Sequence, residues 1–450
     1  MSELLARLFG SAEASAVFGD RGRLQGMLDF EAALARAEAR VGVIPKGAAD
    51  AIARACRAEK FDLGALAEKT ASAGNPAIPL VSALTALVRA EDAGAARYVH
   101  WGATSQDAMD TGLVLQLRQF GDLLREGLDR LSSALAGRAQ EHRTTLLAGR
   151  TWLQHATPVT LGLKLAGWLD AIERHAARLG EILPRVLVLQ LGGAAGTLAA
   201  LGPQALEVSE ALATELGVPL PAIPWHAQRD RIVEVATFLG LLAGTLGKMA
   251  RDLSLLMQTE VAEAFEPAGE GRGGSSTMPQ KHNPVSAAVA LAAATRAPGL
   301  VATLLSAMVQ EHERGLGGWH AEWEALPELC EVVAGALRHM AFAIEGLEVD
   351  PERMRANVDA TRGGILAEAI SMALAARIGR SEAHEIVARA SRRAAEEGRE
   401  LREVLAAEKT VAQHLPPQEL ARLSDPRNYL GQSAAFVDRV LARRRQRREA

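Results

Sequence analysis

Between Ile232 and Met257 an apolar residue recurs every three or four positions: Ile232, Val235, Phe238, Leu239, Leu242, Leu246, Met249, Leu253, Leu256 and Met257. On an α-helix this spacing gathers them on one side, so the segment is expected to form one long helix with a single face to bury. Gly240, Gly244 and Gly247 interrupt the stripe without shifting its phase, which points to close approach of a neighbouring helix. The pattern recurs through Leu123, Leu124, Leu128, Leu131 and Leu135. A third run passes from Val285, Ala288, Val289, Leu291 and Ala292 and resumes after Pro298 with Leu300, Leu304 and Met308. Long helices with such faces pack against several neighbours, so the chain is expected to be all-α and built on a helix bundle.

Composition supports that reading. Hydrophobic residues make up 48% of the 450 positions but aromatics only 4%, so Ala, Leu and Val must fill the core, which suits close-packed helices better than a β-sandwich. The apolar fraction also excludes a disordered chain. With 50 Lys and Arg against 54 Asp and Glu, the net charge of −4 gives no electrostatic case for nucleic acid or an acidic membrane as partner. Cys56 and Cys330 lie far apart and match no metal-ligand spacing, so reduced thiols and a cytoplasmic location are expected. The opening MSELLARLFG carries Glu3 and no long apolar run, unlike a secretory signal. No uninterrupted apolar run approaches the roughly 18 to 20 residues of a membrane span.

Turn-rich clusters at Gly74 to Pro79, Gly102 to Asp110, Gly192 to Gly202, Pro219 to Pro224 and Pro267 to Pro284 suggest three consecutive domains. These are an N-terminal helical segment (1–110), a central long-helix bundle (111–350) and a C-terminal helical segment (351–450). The run Val186 to Leu189 fits a short strand or a buried helix end equally well. Five arginines in the closing LARRRQRREA form a solvated helix end or, less commonly, a partner-binding tail.

Three polar segments stand out in this apolar chain. GRGGSSTMPQKHNP (271–284) concentrates Ser275, Ser276, Thr277, Gln280, Lys281, His282 and Asn283 after a glycine run. It is either a plain surface connection or a set of donors for an anionic ligand. YVHWGATSQDAMDT (98–111) places Thr104, Ser105 and Gln106 ahead of a helix that Asp107 or Asp110 caps near Met109, and the free N–H groups there suit a carboxylate. GRTWLQHATP (149–158) sets Arg150, Thr151, Trp152, Gln154 and His155 together, as a structural histidine with neighbours or as a substrate wall. The glycines of GGAAGTLAALG (192–202) lack the βαβ context and acidic residue of a dinucleotide site, and HERGLGGWH (312–320) lacks zinc-protease spacing.

In this order the three segments resemble the fumarase/aspartase superfamily of homotetrameric lyases. GSSTMPQKHNP is similar to its GSSxMPxKxNP motif, HWGATSQDAMDT to HxGxTSxDxxDT, and GRTWLQHATP to GRTHLQxAxP. The likeness spans about residues 70 to 325. It implies an all-α fold of three domains, a 20-helix core in the tetramer, and active sites built from three subunits. NPAIPLV (75–81), Gln106, Trp152, His155, PWHAQRDR (224–231) and GGWHAEW (317–323) most resemble the branch acting on 3-carboxy-cis,cis-muconate. Adenylosuccinate and argininosuccinate lyases, the alternative branch, usually have histidine where this chain has Trp152. A helical binding protein of the same fold without catalysis is the other alternative, against which Ser275, Lys281 and Asn283 argue.

The resemblance implies a small tricarboxylate substrate with no cofactor and no metal. Ser275 would transfer the proton, with Ser276 adjacent and His155 as second candidate. Lys281 and Asn283 would lie at a substrate carboxylate, Thr104, Ser105 and Gln106 at another, and Arg229 and Arg314 at a third. Trp152 and Gln154 would complete the wall.

Overall fold

The computed structural model describes residues 3–269, 272–275, 277–278 and 280–449. It is 72% helical, with 19 α-helices among the described residues. The long members are Asp20–Val41, Ser105–Glu141, Leu161–Val186, Asp230–Leu256, Val285–Ala307 and Gly318–Glu345. Their ends follow the local chemistry. Asp350 accepts a hydrogen bond from the Arg353 N–H ahead of Pro351, and Gly42 and Gly217 close their helices in the left-handed region.

Along Asp230–Leu256 the expected stripe from Ile232 to Leu256 is buried. A Cβ at Gly247 would lie 2.5 Å from the Ala294 Cβ, and one at Gly240 would lie 3.0 Å from Val301, so two of the three glycines mark close helix approach. Gly244 meets nothing within 4 Å. Leu124, Leu128, Leu131 and Leu135 are likewise buried. Val285–Ala307 runs through Pro298 as a single helix, and Val186 ends the Leu161–Val186 helix with no strand after it.

The chain forms two compact units. The first gathers residues up to Asp129, His175–Gly247 and Val289–His339. In it the Asp20–Val41 and Ser105–Glu141 helices approach so closely that a Cβ at Gly26 would lie 2.8 Å from the Gly112 carbonyl. The second gathers Arg130–Arg174, Lys248–Ala288 and the chain from Met340 onward. It holds a C-terminal core around Ile370, Leu374, Ile386, Val387, Leu401 and Leu405. These units are discontinuous in sequence, and their limits do not coincide with boundaries at residues 110 and 350. Turn-rich loops mark where helices end, whereas several of the long helices contribute residues to both units.

Two strand pairs accompany the helices among the described residues. The longer joins Leu146–Thr151 to Gln154–Thr160, with Arg150 opposite His155 and an irregularity between Ala148 and Arg150. Two helices, Asp230–Leu256 and Val285–Ala307, are long and apolar enough to cross a membrane by length and composition. In the first, 61% of the most apolar window is buried, as in a core helix; in the second, only 28%.

Candidate active site

The helix Ser105–Glu141 starts four residues ahead of Met109. Asp107 caps it: its Oδ2 accepts the Thr104 N–H at 3.0 Å. The same carboxylate accepts the Gly192 and Gly193 N–H groups, each at 2.9 Å, and contacts His226 Nε2 at 2.7 Å. Gly193 is left-handed, and a Cβ on Gly192 would lie 2.7 Å from His226. The Gly-rich stretch thus wraps a buried carboxylate and fixes the backbone at Thr104.

Asp110 does not cap the helix. It faces Arg229, whose Nη1 and Nη2 donate to its two oxygens at 2.8 and 3.0 Å. Arg229 also donates to Glu322, from Nε at 3.0 Å and from Nη2 at 2.6 Å, and stacks 5.0 Å from the Trp225 ring. All three charged side chains are buried. Burial alone would pull the Arg229 pKa down; Asp110 and Glu322 outweigh it and hold the guanidinium above its ordinary value. This corrects the expectation for Arg229: a fork already filled by two internal carboxylates is not available to a substrate carboxylate.

Gln106 differs from expectation in the same way. It is fully buried, with Nε2 donating to Asp110 Oδ2 and the His226 carbonyl and Oε1 accepting from Arg314 Nε. Arg314 is only partly buried, and its Nη1 donates to the Ala194 carbonyl at 3.1 Å. Thr104, Ser105, Gln106, Arg229 and Arg314 therefore all belong to the first unit. His100 is a further candidate there that residue reading left out: its Nδ1 lies 2.6 Å from Glu31 Oε1. Burial works against its protonation, but the charge and hydrogen bond of Glu31 hold the imidazole above its ordinary pKa.

The remaining candidates lie in the second unit. Trp152 and Leu153 form the tip of the hairpin with φ of 53° and 64°, and are 96% and 78% exposed. Two adjacent non-glycine residues in the left-handed region are strained by about 1–3 kcal/mol each. Gln154 and His155 are exposed beside them. Just behind the tip the hairpin is fixed by Arg150, whose Nη1 and Nη2 donate to the two oxygens of the fully buried Glu263, both at 2.8 Å. Asn357 adds a third donor to Glu263 at 2.9 Å. Partial desolvation first, and Arg150 second, pull the His155 pKa down, with Glu263 opposing, which favours the neutral imidazole.

Ser276 lies outside the described residues. Ser275 Oγ accepts the N–H groups of Thr277 and Met278 at 3.4 and 3.1 Å. Asn283 ties the loop closed, donating to the Gly273 carbonyl from N at 2.8 Å and from Nδ2 at 3.0 Å. Gly273 is required there, since a Cβ would lie 2.7 Å from the Asn283 carbonyl oxygen. Lys281 is exposed and forms no ion pair among the described residues. Glu266 caps the helix that follows, accepting the Ser286 and Ala287 N–H groups at 2.8 and 2.7 Å. No hydrogen bond among the described residues joins Trp152, Gln154 or His155 to Ser275, Lys281 or Asn283. Taken separately, the first unit offers a partly buried guanidinium and hydroxyls, and the second an ammonium, a hydroxyl and an imidazole: groups that bind carboxylates and move a proton.

Comparison with known proteins shows the family. A family model described as lyase matches residues 11–299, and one described as adenylosuccinate lyase C-terminus matches 363–440. The chain is 64% identical to the 3-carboxy-cis,cis-muconate cycloisomerase of Pseudomonas aeruginosa over 98% of its own length and 96% of that protein's. The crystal structure of 3-carboxy-cis,cis-muconate lactonizing enzyme from Pseudomonas putida superposes with a TM-score of 0.94 at 56% identity, covering 98% of this chain and 99% of that one. Fumarate lyase from Mesorhizobium sp. BNC1 superposes with a TM-score of 0.89 at 44% identity, over 96% and 98%. With its family model covering well over half the chain and its relatives matching end to end, this chain belongs to the fumarase/aspartase superfamily of lyases.

Proposed function

We propose that this chain is a cycloisomerase that closes 3-carboxy-cis,cis-muconate to 4-carboxymuconolactone, a step of protocatechuate degradation by the β-ketoadipate route. The observation that carries the reading is the near full-length identity to an enzyme of that name. The chemistry fits the groups at hand. A carboxylate oxygen of the substrate adds to the diene, and the new C–O bond forms as π electrons move into a conjugated carboxyl group. The enediolate-like intermediate then takes a proton on carbon. No enzyme nucleophile is needed, only orientation, positive charge and a proton carrier.

In this proposal Lys281 and Arg314 balance the charge of the substrate carboxylates, and Thr104, Ser105 and Asn283 supply neutral donors. Ser275 is the proton carrier; the two N–H groups at its Oγ favour the alkoxide form. His155, whose pKa is shifted down in favour of the neutral imidazole, is the second candidate. Trp152 at the hairpin tip walls the substrate, in the position that is histidine in fumarate-releasing branches.

We also propose a cytoplasmic homotetramer with shared sites. Its support is the apolar Val285–Ala307 helix, of whose most apolar window a single chain buries only 28%, together with the unpaired, buried thiols of Cys56 and Cys330. Light scattering should then give about four times 47.7 kDa. The reaction itself is tested by adding 3-carboxy-cis,cis-muconate to the purified chain and following ultraviolet loss of the conjugated diene. Turnover is expected. No turnover, with fumarate released from adenylosuccinate or argininosuccinate, would replace the cycloisomerase by an elimination enzyme of the same superfamily.

A further inference from the structure

Gln106 lies in a segment that the proposed reaction brings to the substrate, yet each of its hydrogen bonds goes to protein. Nε2 donates to Asp110 Oδ2 at 3.0 Å and to the His226 carbonyl at 2.9 Å. Oε1 accepts from Arg314 Nε at 2.8 Å. Two acceptors at one end and a guanidinium at the other allow only one sense of the amide. Turned over, its NH2 would face an N–H and its oxygen would face two oxygens.

The groups behind Gln106 are equally constrained. Asp110 Oδ2, which receives the amide, also receives Arg229 Nη1 at 2.8 Å, and Arg229 is held on its other side by Glu322. Glu322, Arg229, Asp110 and Gln106 are all buried. They form an unbroken series of hydrogen bonds that ends at Arg314. Arg314 itself comes from the connection between the Val285–Ala307 and Gly318–Glu345 helices, with no helix of its own to orient it. Its Nε and Nη1 are taken by Gln106 and Ala194, while Nη2 is enclosed and has no hydrogen-bond partner among the described residues. Two fixed acceptors set the plane of a guanidinium, and the third nitrogen is what remains for a ligand.

We propose that Gln106 is a positioning residue: its side-chain oxygen locks the Arg314 guanidinium so that Nη2, an enclosed donor left unpaired by the protein, is reserved for a substrate carboxylate that reaches it on binding, and Gln106 does not touch the substrate. The buried Glu322, Arg229 and Asp110 serve by holding the amide in its one working sense. A preset fork spares the ligand the ordering of a long side chain, so the effect falls on affinity. The inference rests on the assignment of Arg314 to a substrate carboxylate in the proposed reaction.

The test is a double-mutant cycle with 3-carboxy-cis,cis-muconate as substrate. Arg314→Ala should raise KM by about tenfold or more, the scale of one lost charge-assisted hydrogen bond. Gln106→Met should raise KM by about three- to tenfold with kcat within about twofold. In the Arg314→Ala background Gln106→Met should add nothing further, because the residue it acts through is gone. A Gln106→Met penalty that persists in full there, or one that lowers kcat and leaves KM unchanged, overturns the proposal. Should Gln106→Met not fold, Arg314→Lys carries the test. A lysine keeps the charge but cannot satisfy both acceptors and the ligand as a planar fork, so KM should rise as for Arg314→Ala, and a parental KM overturns the proposal. Citrate, titrated calorimetrically as a non-reacting tricarboxylate, separates this inference from the reaction. Arg314- and Gln106-dependent citrate binding without muconate turnover defeats the reaction and supports the positioning role. Neither turnover nor binding defeats both.

Discussion

Arg229 and Trp152 both sit in polar segments that mark candidate substrate contacts, and the fold treats them in opposite ways. Arg229 is enclosed in the first unit by Asp110, Glu322 and Trp225. Trp152 stands at the tip of a hairpin in the second unit, with a backbone conformation unfavourable to a bulky side chain and almost its whole surface open. The difference separates two uses of a functional segment. Groups whose donors and acceptors satisfy one another fix geometry before any ligand arrives, while groups left open are those a ligand or a second chain can still meet.

The largest expected effect tests the enclosed side. Arg229→Met would leave Asp110 and Glu322 facing each other without a counter-charge. Loss of one member of a buried ionic cluster costs about 3–5 kcal/mol, so urea denaturation should show a midpoint far below the parent. A variant of parental stability would mean that the cluster is hydrated and that the contrast with Trp152 is false.

The same contrast shows what residue patterns convey. The Ile232 to Leu256 stripe was legible because a helix sorts neighbours in sequence onto one face, and a period of three to four needs no knowledge of the partner. The role of Arg229 was not, because its partners lie 119 residues before it and 93 after it. The motif match located the three polar segments and left open which side chains face inward. Neither LLAGRT nor QHATPVT alternates cleanly, and a turn made of Trp and Leu lacks the Asn-Gly signal that announces a two-residue hairpin. The reach of Asp107 to Gly192 and Gly193 was equally invisible, although the glycine pair itself was noticed.

On the open side, Ser275→Ala should lower kcat for the muconate by about 10² or more if this serine carries the proton. Its denaturation midpoint should match the parent, since a half-exposed loop hydroxyl supports no core. A rate near the parent's moves the role to His155 or Ser276. A loss of stability in place of rate would move Ser275 to the enclosed class.

Glu38 sharpens the comparison from within the first unit, as an enclosed group that is not satisfied. Neither of its oxygens has a hydrogen-bond partner among the described residues, and burial, with Glu31 adding repulsion, pushes its carboxyl up to about 9. An acid whose folded pKa is raised favours folding fully below its unfolded value, near 4.5, and that contribution is lost as pH climbs toward 9. Glu38→Gln removes the titrating group, so its advantage over the parent should grow between pH 5 and pH 9. At the alkaline end about 1–3 kcal/mol is expected, the scale of an unmet buried polar group. Equal pH profiles for the two proteins would mean that Glu38 is paired or hydrated.

The smallest effect lies at the hairpin tip itself. Both central residues have positive φ, the conformation that Asn-Gly adopts without strain in a two-residue turn. Replacing Trp152→Asn together with Leu153→Gly should therefore stabilise the hairpin, by about 1 kcal/mol or less once the entropy of the added glycine is counted. Stability and activity must be read on the same sample. A gain in denaturation midpoint with a fall in muconate turnover would mean that the strain is tolerated because the tryptophan serves the site. A gain with full turnover would remove Trp152 from the site, and a loss of stability would show that the tip is packed against another copy of the chain and is not open at all.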